Sequence, residues 1–421
     1  MIVFKVALAY SGIKDDTAKG TRVDKLLAGL RILDIGRYVA GPYCATLLGY
    51  LGADVIRVER RTGGEDRYIA PLFEDTGGTP GTGGLFMQTG CGKKSVTLNL
   101  SQDKGREILR RLAATCDVVV ANLPPAALEK LGLDWDSFSA AAPGAVLVTQ
   151  SAFGSRGPGR DKGGFDGIGQ AMSGAMYLTG TPDAPAKAGA PYVDFSTALF
   201  STIGTLAALM DRTRTGRGQW VETTLLGSAL AAMNAHLAEQ AVTGRNRPGT
   251  GNRVQTSAPS DVFRTTDGHI LVHTVGDGLF ARWAKLVGRP DLIEDPRFKG
   301  DQARGDARDF LCGIMADWCA GRTMADALDA LDAAGVPSGP VLTQQQALDN
   351  PLAHALHAFR AMAVPGHTAS APVADIPIRF SALDAGVETP PPALGADTDT
   401  VLEALGIDAA ARAALRDDGV I

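Results

Sequence analysis

Two carboxylates stand in segments whose composition suits chemistry. Asp166 lies in GGFDGIGQAMSG, and Asp194 lies in GAPYVDFSTALF, between an apolar, aromatic run and the predicted start of a helix. A desolvated carboxylate near a helix N-terminus is a usable nucleophile. It is equally suited to cap the helix by accepting backbone N–H bonds, a role for which Ser196 competes. The residues alone leave both roles open for Asp194.

Basic side chains cluster around predicted strand ends in the first third of the chain. They are Arg57, Arg60, Arg61, Arg67, Lys93, Lys94 and Lys130, with Asn122 directly after another predicted strand. Ligands of open α/β sheets bind at the carboxyl ends of the strands, so these groups are predicted to converge on one anionic ligand. The alternative is a solvated rim in which Glu59, Glu65 and Asp66 neutralise the arginines.

Several common catalytic signatures are absent from the sequence. It contains no GxSxG, HExxH, GxGxxG or Walker spacing, and its 6 histidines are scattered. The 5 cysteines are odd in number and show no CxxC pair. This pattern favours reduced thiols in a cytoplasmic protein over disulfides, and no metal site is predicted.

Alternating strands and helices must position these residues. The 421 residues are enough for two to three domains at about 150 residues each. From Leu27 onward, apolar strands such as RILDI, ADVIRVE, DVVVA and AVLVTQ alternate with amphipathic helices, which predicts an α/β fold with a parallel sheet. After about Leu226 the composition shifts, and GVPSGPV at 335–341 reads as a linker. The net charge of -5 gives no field for nucleic acid or membrane binding.

Ten motifs, in order from about residue 27 to the end, resemble the family III CoA-transferases, the CaiB/BaiF family. Among them are LRILDIGRYVAGPYCATLLGYLGADVIRVER, GKKSVTLNL, FGSRGPGRDKGGFDGIGQAMSG, YVDFSTA, RTGRGQWVETTLL and LGADTDTVLEALG. The resemblance implies a large Rossmann-like α/β domain, a smaller α+β domain and an interlocked homodimer. The expected division is an N-terminal extension (1–26), the large domain (27–225), the small domain (226–340) and a C-terminal segment that returns to the large domain (341–421).

The same resemblance assigns roles to individual residues. Asp194 matches the catalytic aspartate, and Asp166 falls where relatives have an acidic group near the acyl site. Phe165 stands where formyl-CoA transferase has a tyrosine, and Val39 stands where that enzyme has a glutamine. With Tyr38, they imply a pocket that tolerates a carbon chain. The residues implied in CoA binding are Arg60, Lys93, Lys94, Asn122, Leu123 and Lys130.

The implied reaction moves CoA from an acyl-CoA donor to a small free carboxylic acid through an aspartyl-CoA thioester on Asp194. CoA thioesters are then substrates, with no tightly bound cofactor. Backbone N–H groups of Gly163 and Gly164, or of 249–252, are expected to stabilise the oxyanions. One alternative is an α-methylacyl-CoA racemase, although Phe165 replaces the histidine base that those relatives use. The other is a CoA-binding protein without turnover.

Overall fold

The computed structural model describes residues 25–73 and 82–421. The predicted N-terminal extension lies almost wholly outside the described residues. The strands are β1 (Arg31–Asp34), β2 (Asp54–Glu59), β3 (Lys93–Thr97), β4 (Val118–Ala121), β5 (Val146–Ser151), β6 (Trp220–Thr224), β7 (Ser260–Arg264), β8 (His269–His273), β9 (Ser338–Pro340), β10 (Phe359–Ala363) and β11 (Ser370–Ala374).

The helices of the first half are α1 (Ala40–Tyr50), α2 (Gly84–Gly90), α3 (Asp103–Ala113), α4 (Pro125–Leu131), α5 (Trp135–Ala141), α6 (Asp166–Met172), α7 (Ala175–Thr179), α8 (Tyr192–Thr215) and α9 (Leu225–Thr243). Those of the second half are α10 (Asp277–Leu286), α11 (Asp301–Asp306), α12 (Arg308–Ala320), α13 (Met324–Ala333), α14 (Gln344–Leu348), α15 (Pro351–Ala355), α16 (Thr398–Ala404) and α17 (Ala409–Asp417). Short 3-10 turns lie at Glu65–Tyr68, Pro290–Leu292 and Pro296–Phe298.

The large sheet confirms the predicted α/β class. Its six strands are all parallel, in the order β3-β2-β1-β4-β5-β6. From β1 the chain adds β2 and β3 on one side of the sheet, and it then crosses over to add β4, β5 and β6 on the other side. A crevice therefore forms at the carboxyl ends of β1 and β4. In doubly wound sheets this switch point is where ligands bind.

Both faces of the sheet are buried, which explains the nearly continuous apolar runs of its strands. Successive side chains of a strand alternate between the faces. Val146 and Val148 therefore pack with α1 and α8, while Ala145 and Leu147 pack with α3 and the C-terminal helices. Fully burying one such Val or Leu side chain stabilises the fold by about 1.5–3 kcal/mol.

Helix α8 lies across one face of the sheet and contacts α1, α9, β5 and β6. Among the described residues it is the one helix long and apolar enough to cross a membrane, with a mean hydropathy of 1.4 over its most apolar window, of which 44% is buried. Its buried side chains, among them Val193, Ala198 and Leu209, pack as those of a core helix do.

A second hydrophobic core lies between Ala258 and Val336. It is built on the antiparallel sheet β7-β8-β9 and on α10 to α13, around the fully buried Trp283. The interpretation of 335–341 as a linker is wrong, because Ser338–Pro340 forms β9 and pairs with Ile270–Val272 of β8. This core lies inside the predicted small domain, whose boundaries stay predictions.

The C-terminal segment packs on the large sheet. Thr97 donates its N–H to the hydroxyl of Thr398, and Asn99 donates its N–H to the carbonyl of Val420. Val401, Leu402 and Ile421 join the core beside α3. The hairpin β10–β11 packs against α1 and α2. Residues separated by more than 300 positions thus build one core.

Candidate active site

Three adjoining cavities open at the carboxyl ends of the parallel strands. The Asp194 cavity has a volume of about 530 Å³ and the Arg60 cavity one of about 510 Å³, and Arg37 and Leu123 line both. A third, the Trp220 cavity, measures about 260 Å³. The Asp194 and Arg60 cavities meet at the switch point between β1 and β4, so a long ligand spanning both would cross this crevice.

Asp194 lies in the first turn of α8 and lines its cavity. The residue before the helix is Pro191, which provides no side-chain cap. Asp166 takes that role: its Oδ1 accepts the N–H of Val193 at 2.7 Å and that of Asp194 at 3.3 Å. Its Oδ2 accepts the side-chain N–H of Gln170 at 2.5 Å. The side chain of Asp194 therefore does not cap the helix, and Asp166 holds the backbone of Asp194 in place.

The prediction that Asp166 lines the substrate pocket is therefore not supported. Its side chain is buried under the start of α8, and it is absent from the lining of the Asp194 cavity. Three N–H donors bond its two carboxylate oxygens, so the group is held against the start of α8 and Gln170. Asp166 acts as a positioning residue for Asp194, through a helix cap that is typically worth about 1 kcal/mol.

The carboxyl group of Asp194 is electrostatically unusual. Burial and, to a lesser extent, the nearby negative charge of Asp166 together raise its pKa to about 7. Within the described part of the chain, no hydrogen-bond donor reaches its carboxylate oxygens. A carboxylate that is partly desolvated and not held by donors keeps its lone pairs available, which suits a nucleophile.

Tyr38, Val39 and Phe165 line the same cavity, as predicted. The rings of Tyr38 and Phe165 meet edge to face, with centroids 5.2 Å apart. Tyr38 has a backbone φ of 61°, a strained conformation for an aromatic residue, which turns its ring toward Phe165. Val39 is buried at the start of α1. The predicted apolar lining of the pocket is thus assembled in space.

Asn122 and Leu123, which the resemblance implies in CoA binding, lie at the switch point. The amide of Asn122 bridges the crevice: its Oδ1 accepts the N–H of Arg37, and its Nδ2 donates to the carbonyl of Arg37, both at 2.6 Å. These two bonds occupy the amide. Asn122 therefore fixes the loop between β1 and α1, while the side chain of Leu123 supplies cavity surface.

Arg60 and Lys130 line the Arg60 cavity together with Arg61. The exposed guanidinium of Arg60 donates to Glu65 at 2.6 Å, and Arg37 pairs with the same carboxylate. Two arginines therefore share one acidic partner, and positive charge remains at this rim. Of the six residues implied in CoA binding, Arg60, Leu123 and Lys130 line this one cavity.

The two other lysines predicted to bind CoA lie elsewhere. Lys93 is buried beneath the sheet edge, where its Nζ donates to Asp34 and to the carbonyl of Pro42, both at 2.7 Å. Lys94 is exposed and pairs with Asp54 at the amino ends of β3 and β2, the opposite edge of the sheet. Neither residue lines the described cavities, so both predictions are corrected.

The two glycine segments also differ in their placement. Gly163 and Gly164 line the Asp194 cavity, and their backbone N–H groups have no acceptor among the described residues. The segment 249–252 instead packs near the end of α7, with the Gly251 N–H donating to the carbonyl of Gly180. It does not line the Asp194 cavity, so of the two segments only Gly163 and Gly164 lie where Asp194 does.

Sequence reasoning missed several cavity residues. Arg37 lines two cavities and stands three residues after the end of β1, so its place after a strand end was a usable signal. Arg160 and Lys162 also line the Asp194 cavity, as does Gln150, the second-last residue of β5. The described residues contain no group of three or more His, Cys, Asp or Glu side chains able to hold a metal ion.

The raised pKa of Asp194 predicts a pH dependence. If the ionised carboxylate is the reacting form, its covalent modification by an acyl-CoA should speed up about tenfold per pH unit below 7 and level off above about pH 8. Single-turnover kinetics between pH 5 and 9 measure this profile. In Asp166→Asn, which keeps Oδ1 but removes the charge, the midpoint should move to lower pH. A flat profile would contradict the assignment.

Known proteins similar to this chain share its length and fold. A succinyl-CoA–D-citramalate CoA-transferase of Chloroflexus aurantiacus is 34% identical over 89% of this chain and 92% of its own. A succinyl-CoA:glutarate CoA-transferase of Mus musculus is 32% identical over 94% and 90%. The crystal structure of a CAIB/BAIF family protein from Brucella suis superimposes with a TM-score of 0.80 at 31% identity, covering 91% of this chain and 100% of that one. Residues 27–398 match the family model described as CoA-transferase family III, and the chain belongs to that family.

Proposed function

We propose that this enzyme transfers CoA from an acyl-CoA donor to a free carboxylic acid through an aspartyl-CoA thioester on Asp194. The observation that carries the proposal is the state of Asp194. Its carboxylate faces a cavity, lacks hydrogen-bond donors in the described chain and has a pKa of about 7. Asp166 holds it in place through the helix backbone.

The reaction proceeds in balanced steps. The Asp194 carboxylate attacks the thioester carbonyl carbon, and the C–S bond breaks, which gives a mixed anhydride and the CoA thiolate. The thiolate then attacks the aspartyl carbonyl carbon, releasing the donor acid and leaving the aspartyl-CoA thioester. The acceptor carboxylate reverses both steps. No external base is required, because every nucleophile in the sequence is an anion.

Two features of the cavity support this chemistry. The unpaired N–H groups of Gly163 and Gly164 are suited to stabilise the tetrahedral oxyanions, in the way that backbone donors do in other acyl transfers. The edge-to-face rings of Tyr38 and Phe165 form an apolar wall. Such a wall limits the access of water, which would otherwise hydrolyse the anhydride and lose the thioester energy.

We assign dicarboxylic acids as the substrate class. The two relatives described above are named for reactions of succinyl-CoA with citramalate and with glutarate. In this chain, Arg37, Arg160 and Lys162 line the Asp194 cavity, against Asp161 and Asp194 as the acidic groups. A second carboxylate on the substrate would find cationic partners there.

We further propose that the enzyme is a cytoplasmic homodimer of interlocked subunits. Helix α8 exposes Leu199, Phe200, Ile203 and Met210, and α9 exposes Leu230, Leu237 and Val242. Apolar surface of this kind marks an interaction face. The five cysteines are buried and unpaired, which fits a reducing compartment. Light scattering on the purified protein measures the solution mass against twice 43.8 kDa.

The proposed reaction has a direct test. With succinyl-CoA and a panel of free dicarboxylic acids, we expect mass spectrometry to find new thioesters of the added acids. With 2-methylacyl-CoA in deuterium oxide and no added acid, no α-deuterium should appear, because Phe165 is no base and both oxygens of Asp166 are engaged. Rapid α-exchange without transfer would instead establish a racemase.

The Arg60 cavity is the proposed site of the CoA phosphates. Arg60→Ala and Lys130→Ala should each weaken CoA binding by about 1–3 kcal/mol, the range for hydrogen bonds to charged groups. Calorimetric titration with CoA and with dephospho-CoA measures the loss. Lys94→Ala is the matched control, because Lys94 lies at the opposite edge of the sheet and should leave affinity unchanged. Equal affinities for all variants and wild type would show that the rim is only solvated.

A further inference from the structure

Gln150 occupies an unusual place at the end of a buried strand. Two and four positions before it in β5 stand Val148 and Val146, whose side chains pack with α1 and α8. Because side chains alternate along a strand, Gln150 points to this same face, the one that carries Asp194. It pairs in register with Thr223 of β6. A polar side chain therefore continues a row that is otherwise apolar.

The amide of Gln150 has no hydrogen-bond partner among the described residues. The residue is 2% exposed, and neither Nε2 nor Oε1 is bonded. Its register partner Thr223 is already bonded to Ser201, at 2.7 Å. Burying an amide without partners costs free energy, and buried polar groups in proteins are almost always bonded. Gln150 is therefore an exception that requires a partner from outside the chain.

Gln150 belongs to the wall between two cavities. It lines both the Asp194 cavity and the Trp220 cavity, as do Ser151 and Arg160. The Trp220 cavity also contains the hydroxyl of Ser155, which is buried and unpaired among the described residues. Asp194 and Gln150 line the same cavity, so a substrate with its reacting carbonyl at Asp194 shares that cavity with Gln150.

We propose that Gln150, with Arg160, forms the subsite for the far end of the acyl chain, and that this end carries a carboxylate next to a hydroxyl group. The inference rests on the proposed CoA transfer. An amide has both a donor and an acceptor. Its Nε2 donates to the carboxylate and its Oε1 accepts from the hydroxyl. Arg160, whose Nη2 also donates to Glu129 at 2.5 Å, is the cation at the same wall. A methyl end leaves both amide groups unpaired, and a carboxylate alone satisfies only the donor.

Three acyl-CoA donors with four-carbon acyl chains test this assignment: butyryl-CoA, succinyl-CoA and malyl-CoA. The rate of Asp194 labelling in a single turnover, followed by intact mass, should rise in that order in the wild type. In Gln150→Met, which keeps the chain length but removes the amide, labelling by succinyl-CoA and malyl-CoA should fall about 10- to 100-fold, the effect of losing a hydrogen bond to a charged group. Butyryl-CoA should be unaffected.

The control is Gln345→Met on the exposed helix α14, which should change none of the three rates. The free Gln150→Met protein should melt no lower than the wild type, because the variant removes an unpaired amide. Equal losses with all three donors, unchanged rates, or a lowered melting temperature would each overturn the subsite. If none of the donors labels wild-type Asp194, the proposed transfer itself is wrong, and the subsite falls with it.

Discussion

Replacing Asp194 with asparagine should reduce CoA transfer at least about a thousandfold, because the nucleophile itself is removed. Asparagine keeps the size and shape of the side chain in the first turn of α8, where the backbone N–H is held by Asp166. The proposed CoA site around Arg60 lies in the neighbouring cavity, so calorimetric affinity for CoA should stay close to that of the wild type. Steady-state transfer with succinyl-CoA measures the loss.

A chemical trap identifies the same residue independently. Wild-type enzyme treated with an acyl-CoA and then with hydroxylamine should carry a hydroxamate on the peptide that contains Asp194. The Asn variant should carry none, and Asp166→Asn, which retains Asp194, should still be labelled. Transfer activity in Asp194→Asn above a few per cent of the wild-type rate would rule out the nucleophilic role.

The variant should also differ in stability, in a direction set by the pKa of Asp194. In the folded chain this pKa is about 7, above the ordinary value of 3.8. The unfolded state therefore ionises first, and the carboxyl group contributes less stability as the pH rises from about 4 to about 7. Asp194→Asn has no carboxyl group to ionise at this position and so avoids this loss of stability. The denaturant midpoint of the variant should therefore exceed that of the wild type by more at pH 8 than at pH 5.

The parallel sheet and its site were predictable where the sequence repeats a local pattern. Apolar strands such as Val118–Ala121 are buried on both faces, and that burial is visible in four adjacent apolar residues. Polar residues after strand ends, such as Arg60 and Asn122, were predictable for the same reason. The end of each strand can be read from the chain, and parallel strands bring these ends to one edge.

The failures concern residues whose role depends on distant partners. Lys93 and Lys94 are adjacent and chemically identical, yet one faces Asp34 in the interior and the other faces solvent. Which of the two lysines is buried depends on how β3 pairs with β2. No local sequence pattern specifies that pairing. Asp166 was placed in the pocket because the sequence cannot show that Pro191 leaves the start of α8 uncapped.

A buried network of charged side chains lies next to the switch point between β1 and β4. Asp34, Glu59 and Asp66 alternate with Arg57, Arg67 and Lys93, all nearly inaccessible to solvent. Burial alone would raise the pKa of Asp34, but Lys93 and Arg57 outweigh it and hold that pKa below its ordinary value. Arg67 forms two bonds of 2.7 Å to Glu59, which keep the pKa of Glu59 at about 2. The network fixes the strand ends from which Arg37 and Arg60 project.

Lys93→Met should therefore destabilise the protein by about 3–5 kcal/mol, the cost of leaving a buried charge without its partner. Asp34 would retain Arg57, at 3.4 Å, as its cationic partner and the N–H of Gly36, at 2.8 Å, as a neutral donor. The carbonyl of Pro42 would lose its Lys93 donor. Chemical denaturation measures the change in unfolding free energy. Lys94→Met is the matched control: the same substitution one residue later, in an exposed pair, should cost less than about 1 kcal/mol.

The pH dependence of Lys93→Met distinguishes a lost charge partner from lost packing. In Lys93→Met, burial of Asp34 is opposed only by Arg57 and the N–H of Gly36, so we expect the folded-state pKa of Asp34 to be higher than in the wild type. Protonation of Asp34 then costs the variant less than the wild type, and the deficit should shrink as the pH falls from 8 toward 5. Adding Asp34→Asn to Lys93→Met should recover part of the loss, because the isolated charge is gone. A deficit that is independent of pH and is not relieved in the double variant would show that Lys93 contributes by packing alone. The strand ends beside the Arg60 cavity would then not depend on this ion pair.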